Sequence, residues 1–392
     1  MNFYNPSEKI KFMRKNLHMS QADLEHINMT RAFISMMESG RRNVTKASSK
    51  LLYEKFSERA KTLGIELNID EDYFSTLPQE DAKAFCEKEL KKDISHEGIE
   101  SLIAIAIGFN LDNILAEAYK KNGDKYYKEG NYNNAFMSFT NALGKFKELK
   151  NFKEQLFIYN CLGACKSVIS EHKDAVFYFQ ECINYSVKQN DYFHYIKASF
   201  NLARSYSYLQ RYEECLKLIN ENILESNLQV DEQYKINSMI VRANALYSLD
   251  KQEEALSEYY SIIDEVGDKN ELVLSIVYTN LGEHYYRVEQ LDKSLKYTNE
   301  AQRLKNKVNK RSLSVVLNTK GKILFKQGLL DESALVLELA VSKAKEYCNY
   351  ESLLENLKDL IKVYEKMNDI DKMKELSLEL INFHENKNSI LI

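Results

Sequence analysis

The eight residues Leu162-Gly163-Ala164-Cys165-Lys166-Ser167-Val168-Ile169 look ordinary alone, but steps of about forty residues in either direction find the same site rewritten. Small residues recur at Gly123, Gly163, Ala203, Ala243, Gly282 and Gly321, spaced 40, 40, 40, 39 and 39, and a seventh copy fits with Ile361 in the slot. Three positions after each comes a large residue: Tyr126, Lys166, Tyr206, Leu246, Tyr285, Leu324 and Tyr364. Twelve positions after it comes a mostly small one: Ala135, Ala175, Cys215, Ala255, Ser294, Ser333 and, out of pattern, Met373. A fixed period of this kind marks a stacked array, because each unit buries its apolar face only against its neighbours.

Composition agrees. The chain has 392 residues, 2 prolines, 12 glycines and no tryptophan, and is rich in Lys, Glu, Leu, Asn and Tyr, which permits long uninterrupted helices and predicts an all-α fold. The longest apolar run, Leu102 to Phe109, has eight residues, well short of the roughly 20 that cross a bilayer. No membrane span is expected. The N-terminus lacks a hydrophobic signal core and the six cysteines show no Cys-x-x-Cys spacing, which together predict a cytoplasmic protein. Cys182 and Cys215 stand where sister repeats carry Ala or Ser, so they read as small packing residues. Cys161 and Cys165 share a helix face without a histidine or third cysteine at ligand spacing, so neither a metal nor a cofactor is expected.

The repeats resemble the tetratricopeptide family, whose unit is a pair of antiparallel helices. Gly123, Tyr126, Gly130, Tyr132, Ala135, Phe139 and Ala142 fall on its motif positions in the first copy, and Leu162, Gly163, Ala175 and Phe179 in the second. Tyr119, Tyr159 and Tyr278 replace the family's tryptophan, and the period of 39 to 40 predicts longer helices than the family's usual 34-residue unit. The resemblance covers about residues 116 to 383.

The first residues are of another kind. Residues 1–63 hold 12 Lys plus Arg against 6 Asp plus Glu, a balance of +6, so the remainder carries −10 of the chain's net −4. A basic head of this sort predicts a polyanionic partner, most commonly nucleic acid. Within it, Met19 to Leu24 predicts a helix opening at Ser20, and Met29 to Asn43 a second opening at Thr30 and ending near Gly40, each hydroxyl accepting from free amides of the first turn. Leu24, Ile27, Phe33, Ile34 and Met37 are expected to pack the two together. Arg31, one residue into the second helix, is placed to offer its guanidinium fork to guanine, while Arg41, Arg42 and Lys46 are placed for phosphates.

This stretch resembles the repressor-type helix-turn-helix family in Ser20-Gln21, Thr30 to Ser35 and Glu38-Ser39-Gly40-Arg41. The resemblance implies DNA-binding positions at Gln21, Thr30, Arg31, Ala32, Ser35, Met36, Gly40, Arg41 and Arg42. Of these, Gln21, Gly40 and Arg41 touch the backbone and Arg31, Ala32 and Met36 face base edges, with Arg14 and Glu38 as a bracing ion pair. The segment from Leu24 to Thr30 is one residue shorter than the family's pattern, which leaves the conformation of the turn open.

Asp70-Glu71-Asp72, Pro78 and the polar run Gln79 to Asp81 interrupt the periodicity, after which Asp81 to Lys91 and His96 to Leu115 read as helices. The expected organisation is therefore a DNA-binding head at 1–65, a helical connecting region at 66–115, and a repeat domain for peptide binding and dimerisation at 116–392.

The tetratricopeptide resemblance implies that the first helix of each pair lines a concave face. Asparagine recurs there at Asn160, Asn201, Asn244, Asn280 and Asn318. An Asn amide carries both acceptor and donors and can pair with a peptide bond whatever its side chain, so these residues predict an extended peptide ligand. Tyr247, Tyr286 and Phe325, with Tyr127, would form apolar pockets for it, and Arg204 and Lys322 stand beside Asp124 and Glu283, so a purely anionic ligand is not indicated.

Head and array together resemble the RRNPP family of intracellular peptide-pheromone receptors. That resemblance implies an all-α chain in which a helix-turn-helix domain precedes a right-handed tetratricopeptide-repeat superhelix of about seven helix pairs. It also implies a quorum-sensing transcription regulator, homodimeric, binding operator DNA and switched by a short linear signalling peptide. The alternative is a repeat scaffold acting on proteins or on response regulators with a secondary DNA-binding role. An enzyme finds no support, since no Gly-rich phosphate loop or His-Glu metal pattern is present and the seven histidines are dispersed; His172 and His194 are expected at the surface. Ile361 and Met373 break the small-residue pattern, so Asn349 to Phe383 is expected to contribute to self-association.

Overall fold

The computed structural model describes residues 2–347 and 349–390, with side chains outside the description at 268, 350 and 382–390. Among the described residues it contains nineteen α-helices and no strand beyond one isolated bridge between His26 and Met29. The chain divides into two compact units, 1–198 and 199–392, and the division falls inside the repeats, at neither of the boundaries expected from the sequence.

The seven expected helix pairs are present: α6 (Asp112–Lys128) with α7 (Tyr132–Glu148), α8 (Phe152–Val168) with α9 (His172–Gln189), and α10 (Tyr192–Tyr208) with α11 (Tyr212–Ile219). They continue as α12 (Glu232–Ser248) with α13 (Gln252–Val266), α14 (Glu271–Arg287) with α15 (Leu291–Val308), α16 (Leu313–Lys326) with α17 (Leu330–Glu346), and α18 (Tyr350–Met367) with α19 (Ile370–Ile390). Each recurrent small residue lets the two helices of a pair close. A Cβ added to Gly163 would lie 2.5 Å from the Phe179 ring, one on Gly123 2.7 Å from Phe139, and one on Gly321 2.5 Å from Leu337. The opposing residue always stands sixteen positions on. The small residue at the twelfth position closes the other side, and where it is serine its hydroxyl donates to the glycine's own carbonyl: Ser294 to Gly282 at 2.7 Å and Ser333 to Gly321 at 2.8 Å.

A second periodic feature is backbone in origin. Seven residues after each small residue the chain turns through the left-handed region, at Gly130, Ser170, Gln210, Asp250, Glu289, Gly328 and Asn368, with φ between 58 and 80°. The next amide donates back to the carbonyl of the large residue, from Asn131 to Tyr126, Arg211 to Tyr206 and Asp369 to Tyr364, each at 2.9 to 3.0 Å. This satisfies carbonyls that the helix end leaves open. Only two of the seven turns use glycine, so the sequence alone does not advertise them.

The buried cysteines pack as expected. Cys182 and Cys215 are fully buried, and burial pushes the thiols of Cys165, Cys182 and Cys215 up to about 12, which keeps them protonated and unreactive. His194 is a correction: it is 7 % exposed and its Nδ1 lies 2.9 Å from the Asp191 carboxylate that also accepts from its amide. Met373 packs against the α17–α18 core, whereas the side chain of Phe383 lies outside the described residues.

The head packs α1 (Pro6–Asn16), α2 (Arg31–Glu38) and α3 (Lys46–Thr62) around Ile10, Leu24, Met29, Ile34, Met37, Leu52 and Phe56. The helix expected from Ser20 is reduced to one 3-10 turn, Ala22–Leu24. The Asp23 carboxylate folds back on the Ser20 amide at 2.7 Å and hydroxyl at 2.9 Å, and Glu25 is already extended. With one residue fewer than the family pattern, the chain must turn at once to bring Met29 into the core, and His26 and Met29 exchange both backbone bonds, at 3.0 and 2.8 Å. Ile27, expected to pack, sits at the tip of that turn and is 90 % exposed.

The connecting region is structured throughout. Residues 64–77 lie along the head, inserting Phe74 into its core, fully buried 5.0 Å from the Phe56 ring. Pro78 opens α4 (Pro78–Leu90), where the missing amide costs nothing. The helix expected over His96 to Leu115 is two, because Asn110 turns left-handed and separates α5 (His96–Gly108) from α6. Phe3 reaches from the head to meet Phe85 and Phe109 at 5.9 and 5.5 Å.

Candidate DNA and peptide interfaces

Thr30 caps α2, its hydroxyl accepting from the Phe33 amide at 3.4 Å, and the Arg31 amide donates to the Glu25 carboxylate at 2.9 Å. Ile34 and Met37 are fully buried, which turns the opposite face outward. On that face Ala32, Ser35 and Met36 are exposed, with Arg31 at its start and Gly40, Arg41 and Arg42 beyond its end. Gly40, at φ +71°, ends the helix, and the amides of Arg41 and Arg42 both donate to the Met36 carbonyl, at 3.0 and 3.2 Å. The Arg42 guanidinium lies 4.4 Å over the Phe33 ring, so its direction is set by packing.

Glu38 anchors the helix to the rest of the head. Its carboxylate receives Arg14 in bidentate fashion, at 2.6 and 3.1 Å, and Gln21 at 2.8 Å. Burial would raise this carboxyl, but the Arg14 and Gln21 hydrogen bonds outweigh it and hold it below the usual range. Gln21 therefore spends its amide inside the head. Lys46 and Lys50, on successive turns of α3, are also engaged, with Asp72 at 3.2 Å and Glu71 at 3.0 Å. Both carboxylates lie beyond residues 1–63, over which the head's basic balance was counted, in the segment that leads to α4.

In the repeats the asparagines divide by role. Asn160, on α8 of the first unit, is 2 % exposed, and Asn201, on α10 in the second, is partly buried. Asn244 and Asn280 meet directly: the Asn280 amide donates to the Asn244 carbonyl at 2.8 Å, and the Tyr259 hydroxyl donates to the same oxygen at 2.5 Å. Asn318, 4 % exposed, donates to Asp359 at 3.1 Å. They stand three or two places before the small residue in four repeats and one after it in the fourth copy, offsets that differ by three or four residues and so keep them on one face of the first helix. Tyr259, sixteen places after Ala243, is the partner that the recurrence of that position could have disclosed.

The aromatic residues of the second unit carry cations on their faces. Arg287 lies 5.3 Å over Tyr247, Tyr286 lies beneath Lys322 at 5.5 Å and Lys326 at 4.8 Å, and Arg204 lies 5.8 Å from Phe200. Phe325 packs against the core between α17 and α18. Lys322 also pairs with Glu355 at 3.5 Å. Glu283 sits among these groups with its carboxyl raised by burial, although Lys322 and Arg287 oppose the shift. Close by, Lys305 is 4 % exposed and burial pulls its ammonium down to about 8 against the pull of Glu283. Such a surface offers amide edges, aromatic faces and both signs of charge within one set of helices.

No family model matches the chain. Over 101 residues, 26% of this chain, it is 35% identical to DnaJ homolog subfamily C member 7 of Homo sapiens, and the match spans only 19% of that relative. Among solved structures, NprR in complex with its cognate peptide NprX superposes with a TM-score of 0.52 at 18% identity, covering 79% of this chain and 88% of that one. Aspartyl phosphate phosphatase F from Bacillus subtilis superposes at 0.59 and 12% identity over 98% and 95%. At these identities the likeness shows the fold: the chain shares the all-helical repeat architecture of these proteins. Among the described residues no helix is long and apolar enough to cross a membrane, and no group of three or more His, Cys, Asp or Glu side chains is placed to hold a metal ion.

Proposed function

We propose that the chain is a member of the RRNPP family and works as a quorum-sensing transcription regulator, its head binding operator DNA and its repeats a short linear signalling peptide. The observation that carries the reading is the bracing of α2 by Arg14 and Gln21 through Glu38, because a helix of eight residues is held rigid while its Ala32, Ser35 and Met36 face stays open to solvent. Arg31 would read base edges and Arg41 and Arg42 would hold phosphates. Gln21 supports α2 in this reading, with any backbone contact secondary.

The peptide would lie along the first helices of the second unit. Asn244 and Asn280 use one edge each on one another, leaving the Asn244 amide and the Asn280 carbonyl as the complementary pair that a backbone peptide group requires. Tyr247 and Tyr286, with Arg287, Lys322 and Lys326 over them, would take its side chains. A homodimer is part of this reading, since a two-fold protein matches an inverted-repeat operator. Mobility shift with genomic fragments, with and without peptides from conditioned medium, tests it: a fragment retained specifically and altered by peptide is the expected result, and failure to retain any fragment would overturn it.

A second reading is action on a phosphorylated response regulator. The likeness to aspartyl phosphate phosphatase F, which covers 95% of that chain, supports it, as does the reduction of the first helix of the motif to one turn. Loss of phosphate from a response regulator on addition of this protein would favour it.

A further inference from the structure

Residues 64–77 carry Glu66, Asp70, Glu71 and Asp72 and no Lys or Arg, so the +6 balance of residues 1–63 falls to +2 once this strap is included. The strap is fixed to the head through its backbone. The Ser49 hydroxyl donates to the Glu71 carbonyl at 2.6 Å and accepts from the Phe74 amide at 3.1 Å. The Lys9 ammonium donates to the carbonyls of Tyr73 at 3.0 Å and Thr76 at 2.8 Å. Its carboxylates, by contrast, are open to water: Asp72 and Glu71 are 49 % and 55 % exposed, and their partners Lys46 and Lys50 82 % and 55 %. Negative charge is thus held in place by buried contacts, while the ion pairs it makes are solvated and easily exchanged.

We infer that this strap is a built-in competitor for the DNA backbone, its Asp72 and Glu71 occupying Lys46 and Lys50 until duplex phosphates displace them. The inference rests on the DNA-binding reading of the head. Both lysines follow α2 in the chain, and Lys46 stands four residues past Arg42, so they are the cations that a backbone docked beside α2 would reach next. Phosphate contacts carry no sequence information. The strap therefore lowers affinity for every duplex alike and leaves discrimination to the side chains of α2.

The test uses the full chain carrying Glu71→Gln with Asp72→Asn, measured by fluorescence anisotropy on a retained fragment and on a short random-sequence duplex over a series of salt concentrations. Both duplexes are expected to bind about 3- to 10-fold more tightly at low salt, with the salt slope steeper by up to about 1.8 for two freed cations. The gain should vanish when Lys46→Ala and Lys50→Ala are added. Unchanged affinity and slope in a protein that still binds DNA would overturn the inference, as would a gain that persists without the two lysines. Absence of duplex binding by parent and variant alike would instead remove the DNA-binding reading itself.

Discussion

The ammonium of Lys9 is sealed against the carboxylate of Asp81, joining the first helix of the head to α4, with 1 % of the lysine side chain and 23 % of the aspartate exposed. Thr76 completes the arrangement, its hydroxyl accepting from Lys9 at 2.8 Å and bonding Asp81 at 2.7 Å, and the Tyr73 ring lies 4.6 Å beneath the charge. Removing one partner of a buried pair leaves the other uncompensated. Lys9→Met is expected to destabilise the head by about 3 kcal/mol, seen as faster amide exchange in α1 and residues 70–81, with α6 to α9 less affected. Unchanged protection in α1 would show that the pair is dispensable.

Gly163→Ala places a methyl 2.5 Å from the Phe179 ring. The gain in helix propensity, about 1 kcal/mol, is outweighed by overpacking of about 1 to 3 kcal/mol. A modest loss of thermal stability is expected, recovered when Phe179→Leu makes room. Gly144, with nothing within 4 Å of an added Cβ, should by contrast be stabilised by the same change.

The left-handed turns make opposite predictions for the two residue types that occupy them. Gly130→Ala, at φ +80°, should cost about 1 to 2 kcal/mol. Asp250→Gly, at φ +63°, should gain up to about 1 kcal/mol, reduced by the greater freedom that glycine has in the unfolded chain. Urea titration of both variants checks the pair, and a stabilised Gly130→Ala would contradict the geometry.

Lys305 has a folded-state pKa of about 8, below its ordinary 10.5. Below pH 8 both folded and unfolded chains carry the proton and the burial penalty stands in full; between about 8 and 10.5 the unfolded chain binds more protons, so this group makes stability rise with pH. Lys305→Met is expected to stabilise the second unit at pH 7 by about 1 to 3 kcal/mol, an advantage that shrinks toward pH 10. Thermal melts at the two pH values decide it, and an advantage independent of pH would assign the effect to packing alone.

Asn280→Ala and Asn201→Ala are each expected to weaken peptide binding about 2- to 13-fold by calorimetry, the worth of one neutral hydrogen bond. Tyr259→Phe serves as the control, since it removes the hydroxyl that donates to Asn244 and accepts from Asn280 while leaving both asparagine side chains in place. Equal losses in all three variants would make the Asn244–Asn280 contact a clasp between helix pairs and take it out of ligand recognition.

What the sequence determined by itself is the array: seven pairs, their order, and the small residues at which they close. A period is a property of the chain read along one dimension, and Gly163 opposite Phe179 repeats wherever the spacing does. The bracing of Glu38 by Arg14 was legible for a similar reason, as a motif with a fixed internal offset. Tertiary structure decided the rest. That the Asn280 amide bonds the Asn244 carbonyl appears only when their helices are side by side. Ser20 to Leu24 has the cap of a helix, yet the missing residue in the turn and the need to bury Met29 leave it a single turn. The charge of the head halves and more when residues 64–77 fold back, because electrostatic balance belongs to what lies close in space, and no count along the chain reveals that Asp72 lies against Lys46.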